Sequence, residues 1–489
     1  MNQEQIVDGI IVDYLESKFV GVKDKITNSS KYFKRNGMAS IIGSDRRVYE
    51  LIKKLESKNE ECDYLTYFDE LVNAYREYVE VADVEKKTLG EVMTPITLVE
   101  DMLNTLPSDV WSNPNLKWLD PCAGVGTFPS IVVQRLMKGL EDFEKNPIKR
   151  YRHIIEEMIY VCELQPKNMF IFQCVFDKDD TNELNTYCGS FLDENFDKHM
   201  TDVWGVEKFD IIIGNPPYQT SGNGGQYKTQ PIWDKFTLKS LLILNEGGYL
   251  NMVHPSGWRN IDGRFVEVKN QFKNKNLIFL SINDEKKGIE VFGAETRFDY
   301  YCLENVINKG KTKIIFQDGV EQTIDISELD FIPNGKLNLI KSLIATNDDE
   351  KVSLLHSESN YAHRKPYMSK ENNSEYKYPC IYTINSNSEP KLWFSSNNNK
   401  GDFGMSKLIW STGRISSVGS FIDTDGKYGL MEYSSAIVDE PKNLSDIKKV
   451  FDSKEFKTIM ELCAVGQLAI NYKVIATFRK DFYKQFLNN

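Results

Sequence analysis

The chain has 489 residues, of which 41% are hydrophobic and 27% charged, the composition of a folded globular protein with two or three domains. Its longest aliphatic runs fall far short of the roughly 20 apolar residues that a membrane-spanning helix needs. The first residues lack the basic and apolar segments of a secretory signal, so we expect a cytoplasmic protein. The eight cysteines and five histidines show no metal-ligand spacing, and we expect no bound metal.

The formal net charge of −11 argues against a protein that coats nucleic acid with uniform positive potential. The charge is unevenly distributed along the chain. Residues 1–250 carry 28 basic and 40 acidic side chains, whereas residues 251–489 carry 32 and 31. A polyanion is therefore expected to contact the second half more readily.

Apolar periodicity divides the chain into three regions. In residues 1–87, apolar residues three and four apart predict helices. Between 88 and 306, short apolar strands alternate with helical stretches, which predicts a buried, mostly parallel sheet. The predicted strands lie at 116–119, 158–162, 209–213, 248–253 and 277–280. From 307 onward, short strands, loops rich in Asn and Ser, and many aromatic residues predict a separate, loop-rich domain.

A glycine-containing turn, Asp120–Phe128, follows the first predicted strand and precedes a helix predicted over 131–140. Glycines at such a turn let the backbone approach a ligand closely, because no Cβ stands in the way. The third glycine of a dinucleotide-binding loop is missing, and a tight turn without a ligand would explain two glycines alone. Glu163 ends the second predicted strand. An acid at this position in an α/β fold can bind ribose hydroxyls, and the alternative is a carboxylate that is simply exposed to solvent.

The tetrapeptide Asn215-Pro216-Pro217-Tyr218 follows an apolar run that we predict to be the fourth strand of the sheet. Two prolines prevent the strand from continuing and hold the side chain of Asn215 and a following carbonyl rigidly. Tyr218 adds an aromatic face beside these two acceptors. The tetrapeptide therefore predicts a site for a flat substrate with an amino group, which would be bound by the acceptors and stacked on the ring.

Taken in order, these motifs resemble the adenine-N6 DNA methyltransferases that use S-adenosylmethionine, in the gamma class, whose cofactor motifs precede the catalytic tetrapeptide and a target-recognition domain. The resemblance covers residues 88–306. It implies an α/β, Rossmann-like methyltransferase domain with a mostly parallel seven-stranded sheet. A helical segment over 1–87 would precede this domain, and a mixed α+β target-recognition domain over 307–489 would follow it.

The resemblance also implies roles for individual residues. Catalysis falls to Asn215, Pro216, Pro217 and Tyr218, and Phe292, in Glu290-Val291-Phe292, would supply a second aromatic ring against the base. S-adenosylmethionine would lie against Thr94, Pro95, Asp120, Ala123, Gly124, Gly126, Thr127, Phe128, Glu163, Ser190, Phe191 and Asn215. The family often has an acid where this chain has Ser190, so the contact to the adenine amino group of the cofactor is weaker or is made by Asp193.

These parts imply a mechanism. An adenine inside a duplex cannot reach the methyl group, so the enzyme flips the base out of the helix. Tyr218 and Phe292 would stack on the extruded ring. The side-chain oxygen of Asn215 and the carbonyl of Pro216 would accept the two amino hydrogens and free the N6 lone pair for in-line attack.

The second half of the chain would then recognise double-stranded DNA. Residues 361–420 hold 8 basic and 4 acidic residues, interleaved with aromatic residues. Within this region we predict DNA contacts at Arg364, Lys365 and Arg414, because Lys and Arg bind phosphates and Arg also reads base edges. A basic segment over 471–480 would contact the DNA backbone. The sequence leaves open whether the enzyme acts alone or with a cognate restriction endonuclease.

Other functions fit part of the pattern. Asn-Pro-Pro-Tyr also serves methyltransferases that act on an RNA base or on a protein glutamine, although the latter need little chain beyond the catalytic sheet. A silent DNA-binding subunit could keep the fold, but the intact tetrapeptide argues against it. An N-terminal nuclease is discounted because residues 1–87 are too few and lack a strand setting for a nuclease motif.

Overall fold

The computed structural model describes residues 94–177, 182–220, 230–357, 361–466 and 469–487. The helical region predicted over 1–87, and residues 88–93 at the start of the predicted methyltransferase domain, lie outside these ranges. The chain divides into two compact units, Met1–Pro255 with Gln271–Ile314 and Ser256–Asn270 with Ile315–Asn489. The division thus falls at Ile314 rather than at the predicted residue 306, and the second unit also takes a short segment that follows the fifth strand.

The first unit alternates strands and helices. Its strands are β1 (Trp118–Asp120), β2 (Ile159–Glu163), β3 (Asn185–Cys188), β4 (Phe209–Gly214), β5 (Leu244–Pro255), β6 (Lys275–Asn283) and β7 (Phe298–Ile307). Its helices are α1 (Ile96–Leu103), α2 (Thr127–Gly139), α3 (Pro147–His153), α4 (Pro166–Phe176), α5 (Glu194–Asp202), α6 (Trp233–Leu242) and α8 (Glu285–Phe292); α7 (Val266–Asn274) crosses the division between the units. The strands β8 (Thr312–Ile315) and β9 (Glu321–Ile324) follow where the chain enters the second unit.

The large sheet has the strand order β3-β2-β1-β4-β5-β7-β6-β8-β9. Strands β1 to β5 pair in parallel, whereas β7 pairs antiparallel with both β5 and β6. The predicted mostly parallel sheet is confirmed, with Phe209–Gly214 as its fourth strand. The predicted count of seven strands is wrong, because β8 and β9 extend the sheet beyond β6 and cover an edge that would otherwise present unpaired backbone groups.

The core of the first unit explains why its strands read as continuous apolar runs. Every residue of β1 and β2 is buried, as are all but one of β4, because helices cover both faces of a parallel sheet. The cluster around these strands includes Ile131 and Leu136 of α2. Two rings of α4, Phe172 and Phe176, stack with centroids 4.3 Å apart beneath the turn that follows β1.

The second unit contains two four-stranded sheets and a helical core. Its strands are β10 (Ser353–Ser357), β11 (Met368–Ser369), β12 (Tyr378–Ile384), β13 (Pro390–Ser395), β14 (Lys407–Ser411), β15 (Ser420–Asp423), β16 (Gly429–Leu430) and β17 (Ser434–Val438). The strand orders are β10-β17-β14-β15 and β11-β13-β12-β16. Its helices are α9 (Leu337–Leu343), α10 (Pro441–Phe451), α11 (Lys454–Cys463), α12 (Tyr472–Ile475) and α13 (Lys484–Leu487). None of the helices within the described ranges is long and apolar enough to cross a membrane.

An ion pair is buried inside the second unit. The Nζ of Lys407 donates to Asp423 Oδ2 at 2.8 Å, and both side chains are at most 2% exposed. The carboxylate also accepts from the backbone N–H groups of Lys427 and Tyr428, which fixes the turn after β15. Each charge is therefore compensated only as long as its partner is present.

We expect Lys407→Met to lower the free energy of unfolding of the second unit by about 3–5 kcal/mol, because it leaves the carboxylate of Asp423 buried without its cation. Chemical denaturation followed by fluorescence would measure the change. The exposed pair Lys427 and Asp425 provides the control, since Lys427→Met should change stability little. If the two substitutions lowered the free energy of unfolding equally, burial would not explain the contribution of the pair between Lys407 and Asp423.

Candidate functional site at the ends of the parallel strands

The turn after β1 is shaped by two glycines. Gly126 has φ +100°, and a Cβ built on it would lie 2.7 Å from the ring of Phe176 and 2.8 Å from that of Phe172. Only glycine fits there, because both the backbone conformation and the space exclude a side chain. Gly124 has φ +56°, and within the described ranges no atom lies within 4 Å of its ideal Cβ position. The turn is therefore packed on one side and open on the other.

Glu163, the last residue of β2, braces this turn. Its Oε2 accepts from the N–H of Gly124 at 2.9 Å, and its Oε1 accepts from the N–H of Gln165 at 2.8 Å and from Nδ2 of Asn168 at 3.5 Å. Its carbonyl accepts from the N–H of Gly189 at 2.9 Å, after β3. A single residue thus joins the chain segments that follow three neighbouring strands.

Asn215 follows β4, as predicted, and its amide is held in one orientation. Its Nδ2 donates to the hydroxyl of Thr94 at 3.0 Å. Its Oδ1 is buried and has no hydrogen-bond partner among the residues that the structure describes. Since the nitrogen is engaged with Thr94, the oxygen is the group offered to a ligand. The next residue, Pro216, is buried, and Pro217 is exposed.

Asp120 lies beside the start of the tetrapeptide. Its Oδ1 accepts from the N–H of Cys122 at 3.0 Å and lies 3.0 Å from the position of a Cβ on Gly214, while its Oδ2 is buried and lacks a partner in the described ranges. Burial, opposed in part by that N–H and reinforced by the charge of Glu163, raises the pKa of Asp120 to about 8. The carboxyl group is therefore largely protonated at neutral pH.

Two aromatic rings meet next to the tetrapeptide. The centroids of Tyr218 and Phe292 are 6.2 Å apart, and their planes cross at 84°. The structure thus brings the two predicted rings together, but a flat base can lie parallel to only one of them. Phe292 is 3% exposed and packs edge-on against Phe298, so it supports the half-buried ring of Tyr218. The perpendicular planes favour stacking on Tyr218 alone, and the role of the two rings in holding a base stays a prediction.

The hydroxyl of Tyr218 is buried although its ring is partly exposed. It finds no hydrogen-bond partner among the described residues. Burial, and to a lesser extent the charge of Asp299, raises the pKa of Tyr218 well above its ordinary value. The group is therefore a neutral phenol and supplies an aromatic face without a negative charge.

The other predicted cofactor residues differ in burial. Ser190 uses its Oγ to accept from the N–H of Leu192 at 3.2 Å, which orders the turn into α5. Phe191 is 1% exposed and contacts the rings of Phe196 and Phe236. Asp193, the predicted substitute acid, is exposed. The residues Ala123, Thr127 and Phe128 are buried in the turn and the first turn of α2, and Pro95 precedes α1.

Sequence reasoning missed two residues of this cluster, Gly214 and Cys122. Gly214 has φ +152°, and its missing side chain lets the end of β4 approach Asp120. The thiol of Cys122 interacts with the backbone N–H of Asn215, while burial raises the pKa of the thiol. The glycine directly before the tetrapeptide was a readable signal, because glycine at a strand end often marks a close backbone approach. No spacing rule identifies the cysteine.

The residues predicted to contact DNA lie in the second unit. Arg364 and Arg414 are exposed, and Lys365 is half-buried. Their segments approach a common point. The N–H of Thr412 donates to the carbonyl of Tyr433 at 2.7 Å, and His363 contacts the carboxylate of Glu432. The structure therefore places the two predicted basic segments next to one loop.

Comparison with known proteins identifies relatives of part of the chain. Residues 129–292 match the family described as Eco57I restriction-modification methylase. An uncharacterised adenine-specific methylase of Mycoplasma pneumoniae is 26% identical over 266 residues, which cover 40% of this chain and 63% of the relative. The predicted resemblance to adenine-specific DNA methyltransferases is confirmed by these matches. The chain spans less than two thirds of the length of this curated relative.

Two solved structures share a lower sequence identity with this chain. A modification subunit of a putative type I restriction enzyme from Vibrio vulnificus is 16% identical, with a TM-score of 0.39 over 52% of this chain and 53% of that chain. The DrdV–DNA complex is 13% identical, with a TM-score of 0.49 over 99% of this chain and 65% of that chain.

We expect Gly126→Ala to destabilise the first unit by about 2 kcal/mol or more, because the new methyl group overlaps the rings of α4 and adopts an unfavourable backbone conformation. Thermal unfolding of the purified variant would measure this loss. Gly124→Ala is the matched control. It has a positive φ but open space, and should cost only the roughly 1 kcal/mol of backbone strain. Equal losses would exclude the steric explanation.

A second prediction concerns pH. The pKa of Asp120 is raised in the folded chain, so the folded state binds one proton more than the unfolded state between about pH 4 and pH 8. The contribution of this group to stability is thus full at low pH and is lost as the pH rises toward 8, by at most about 1.4 kcal/mol per pH unit. Asp120→Asn should remove it, so that the variant becomes more stable relative to wild type with rising pH. Urea denaturation from pH 5 to 9 would measure the difference, and a difference independent of pH would contradict the assignment.

Proposed function

We propose that the chain is a site-specific DNA adenine-N6 methyltransferase that transfers a methyl group from S-adenosylmethionine to an adenine flipped out of double-stranded DNA. The observation that carries this proposal is the buried, unpartnered Oδ1 of Asn215 among the described residues, held toward the site by the bond from Nδ2 to Thr94. The tetrapeptide that begins with Asn215 ends with the partly exposed aromatic residue Tyr218. A fixed acceptor beside an aromatic face suits an aminopurine.

The acceptors act on the exocyclic amine. The Oδ1 of Asn215 and the carbonyl of Pro216 accept one hydrogen bond each from the two N–H groups. These bonds would favour a tetrahedral nitrogen whose lone pair is free to attack an electrophilic methyl group, and the amine would release one N–H proton to solvent once the new N–C bond has formed. Because the bond to Thr94 fixes the amide before the substrate arrives, little reorganisation is needed at the moment of reaction.

The residues around the turn after β1 fit the cofactor. The space beside Gly124 admits a ligand close to the backbone, and the buried Oδ2 of Asp120 is a polar atom without a protein partner in the described part of the chain. Asp120, Glu163 and Thr94 would hold the bound molecule, with Glu163 also keeping the turn in place. When bound, S-adenosylmethionine supplies an electrophilic methyl group. A cationic ligand beside Asp120 would favour the ionised carboxylate and so release its proton.

Tyr218 would hold the extruded base. Its half-buried ring offers one face, and the perpendicular ring of Phe292 keeps that face in position. Stacking of a base on an aromatic ring is worth about 1–3 kcal/mol, which offsets part of the cost of unpairing and unstacking.

The second unit supports DNA as the acceptor. Its exposed or half-buried cations Arg364, Lys365 and Arg414 would contact phosphates or base edges. An enzyme that acts alone and one that works with a restriction endonuclease would both need a methyl-transfer site and residues that contact DNA. The proposal therefore covers both.

The proposal is tested by incubating the purified chain with S-adenosylmethionine labelled in the methyl group and unmethylated genomic DNA, with total RNA in a parallel reaction. Digestion to nucleosides and mass spectrometry identify the product. N6-methyladenine from the DNA alone is the expected result. Label only in RNA would overturn the DNA substrate, and label in neither would overturn the activity.

Asn215→Ala should reduce methylation at least 100-fold and leave cofactor binding largely intact, because it removes the acceptor of the amine.

Thr94→Val should lower kcat about tenfold, because it frees the amide of Asn215 to turn, and Thr94→Ser should keep kcat near the wild-type value. Turnover assays and calorimetric titration with the cofactor separate these effects. Wild-type turnover by Asn215→Ala would disprove the assigned role.

A further inference from the structure

Tyr433 combines exposure with an unfavourable backbone conformation. Its side chain is 64% exposed, and its φ is +65°, a region that residues other than glycine rarely adopt. The conformation costs about 1–2 kcal/mol relative to an ordinary one. A glycine here would avoid that cost, whereas an exposed tyrosine ring provides little burial in return. Strain of this kind is concentrated at functional sites.

The loop is fixed from both sides. The N–H of Tyr433 donates to the carbonyl of Ser357 at 3.2 Å. Its carbonyl accepts from the N–H of Thr412 at 2.7 Å and from the hydroxyl of the same threonine at 2.8 Å. These bonds hold the backbone of Tyr433 between β10 and the segment after β14. The ring is therefore presented by a rigid support.

Cationic segments flank this ring. The residue before Tyr433 is Glu432, and its carboxylate contacts His363. The two residues that follow His363 in the chain are Arg364 and Lys365. Thr412 leads to Arg414 in the same way. Lys370 lies over the ring of Trp393 at 5.5 Å, and that ring is 6.0 Å from His363. The carboxylate next to Tyr433 is thus bound by His363, and basic residues follow both segments that contact this loop.

We propose that Tyr433 is a base-contacting residue of the second unit, which packs its ring against bases of double-stranded DNA while the flanking cations bind phosphates. This inference rests on the proposed function, since it takes DNA as the substrate. A flat, amphipathic ring on a loop whose neighbouring segments carry Arg364, Lys365 and Arg414 matches a polyanion with stacked bases. A protein partner would require an equally acidic surface and is the alternative that the experiment distinguishes.

The experiment separates the ring from the backbone strain. Duplexes that wild-type protein retains are selected, in the presence of S-adenosylhomocysteine, from a 40-base-pair pool with a randomised centre. One selected duplex, labelled with fluorescein, is then titrated with each variant by anisotropy. Tyr433→Gly should weaken binding about fivefold or more while the melting temperature stays equal or rises, because glycine relieves the strain but removes the ring. Tyr433→Phe should bind within about twofold of wild type.

Asp402→Gly is the matched control. Asp402 has φ +59°, so glycine relieves similar strain, and loss of its negative charge cannot itself weaken binding to DNA. Weaker binding by Tyr433→Gly alone supports the inference. Unchanged binding by Tyr433→Gly, or a wild-type chain that retains no duplex, overturns it. The nucleoside assay decides the proposed function separately, since a methylating enzyme with a normal Tyr433→Gly variant would leave that function intact.

Discussion

The bond from the N–H of Gly124 to the carboxylate of Glu163 organises the candidate site. It ties the open turn after β1 to the end of β2, and the carbonyl of Glu163 extends the connection to Gly189 after β3. Because β1, β2 and β4 run in parallel, their carboxyl ends lie at one edge of the sheet, where open α/β folds bind ligands. Asn215 follows β4 at this edge. The fold thus supplies the edge, and Glu163 holds the loops that make it a site.

The same edge contains polar atoms that the protein leaves unsatisfied within the described ranges. They include Oδ1 of Asn215, Oδ2 of Asp120 and the hydroxyl of Tyr218. A buried polar group without a partner costs about 1–3 kcal/mol. For Asp120 the cost is reduced by protonation, since its pKa is about 8. The core around α2 and α4 must offset the remainder, which fits the general observation that sites needing preorganised groups reduce stability.

Local sequence chemistry determined much of this fold in advance. Continuous apolar runs predicted β1, β2, β4 and β5, and two prolines predicted the end of β4, because both signals act within a few residues. The parallel strand β3 was missed, because its residues, Asn185–Cys188, do not form an apolar run. The pairing of β7 between β5 and β6 and the addition of β8 and β9 depend on contacts between distant segments, which no periodicity reveals. The same holds for the site. Asn215 and Glu163 stood out by residue type and position, whereas the bond to Thr94 joins residues 121 positions apart.

Charge placement reconciles a net charge of −11 with the proposed contact to DNA. In the second unit, exposed lysines lie over aromatic rings at 5.2–5.5 Å, namely Lys370 over Trp393, Lys377 over Tyr378 and Lys400 over Tyr367. A ring beneath a cation restricts it without neutralising its charge, as a carboxylate would. Buried Lys407, in contrast, is neutralised by Asp423. The buried cation Lys407 is therefore paired inside the unit, whereas these three surface lysines lie over rings; other exposed lysines, such as Lys427, form ion pairs with carboxylates. Binding through such a local patch is strong only at low ionic strength, because the rest of the protein repels the phosphates.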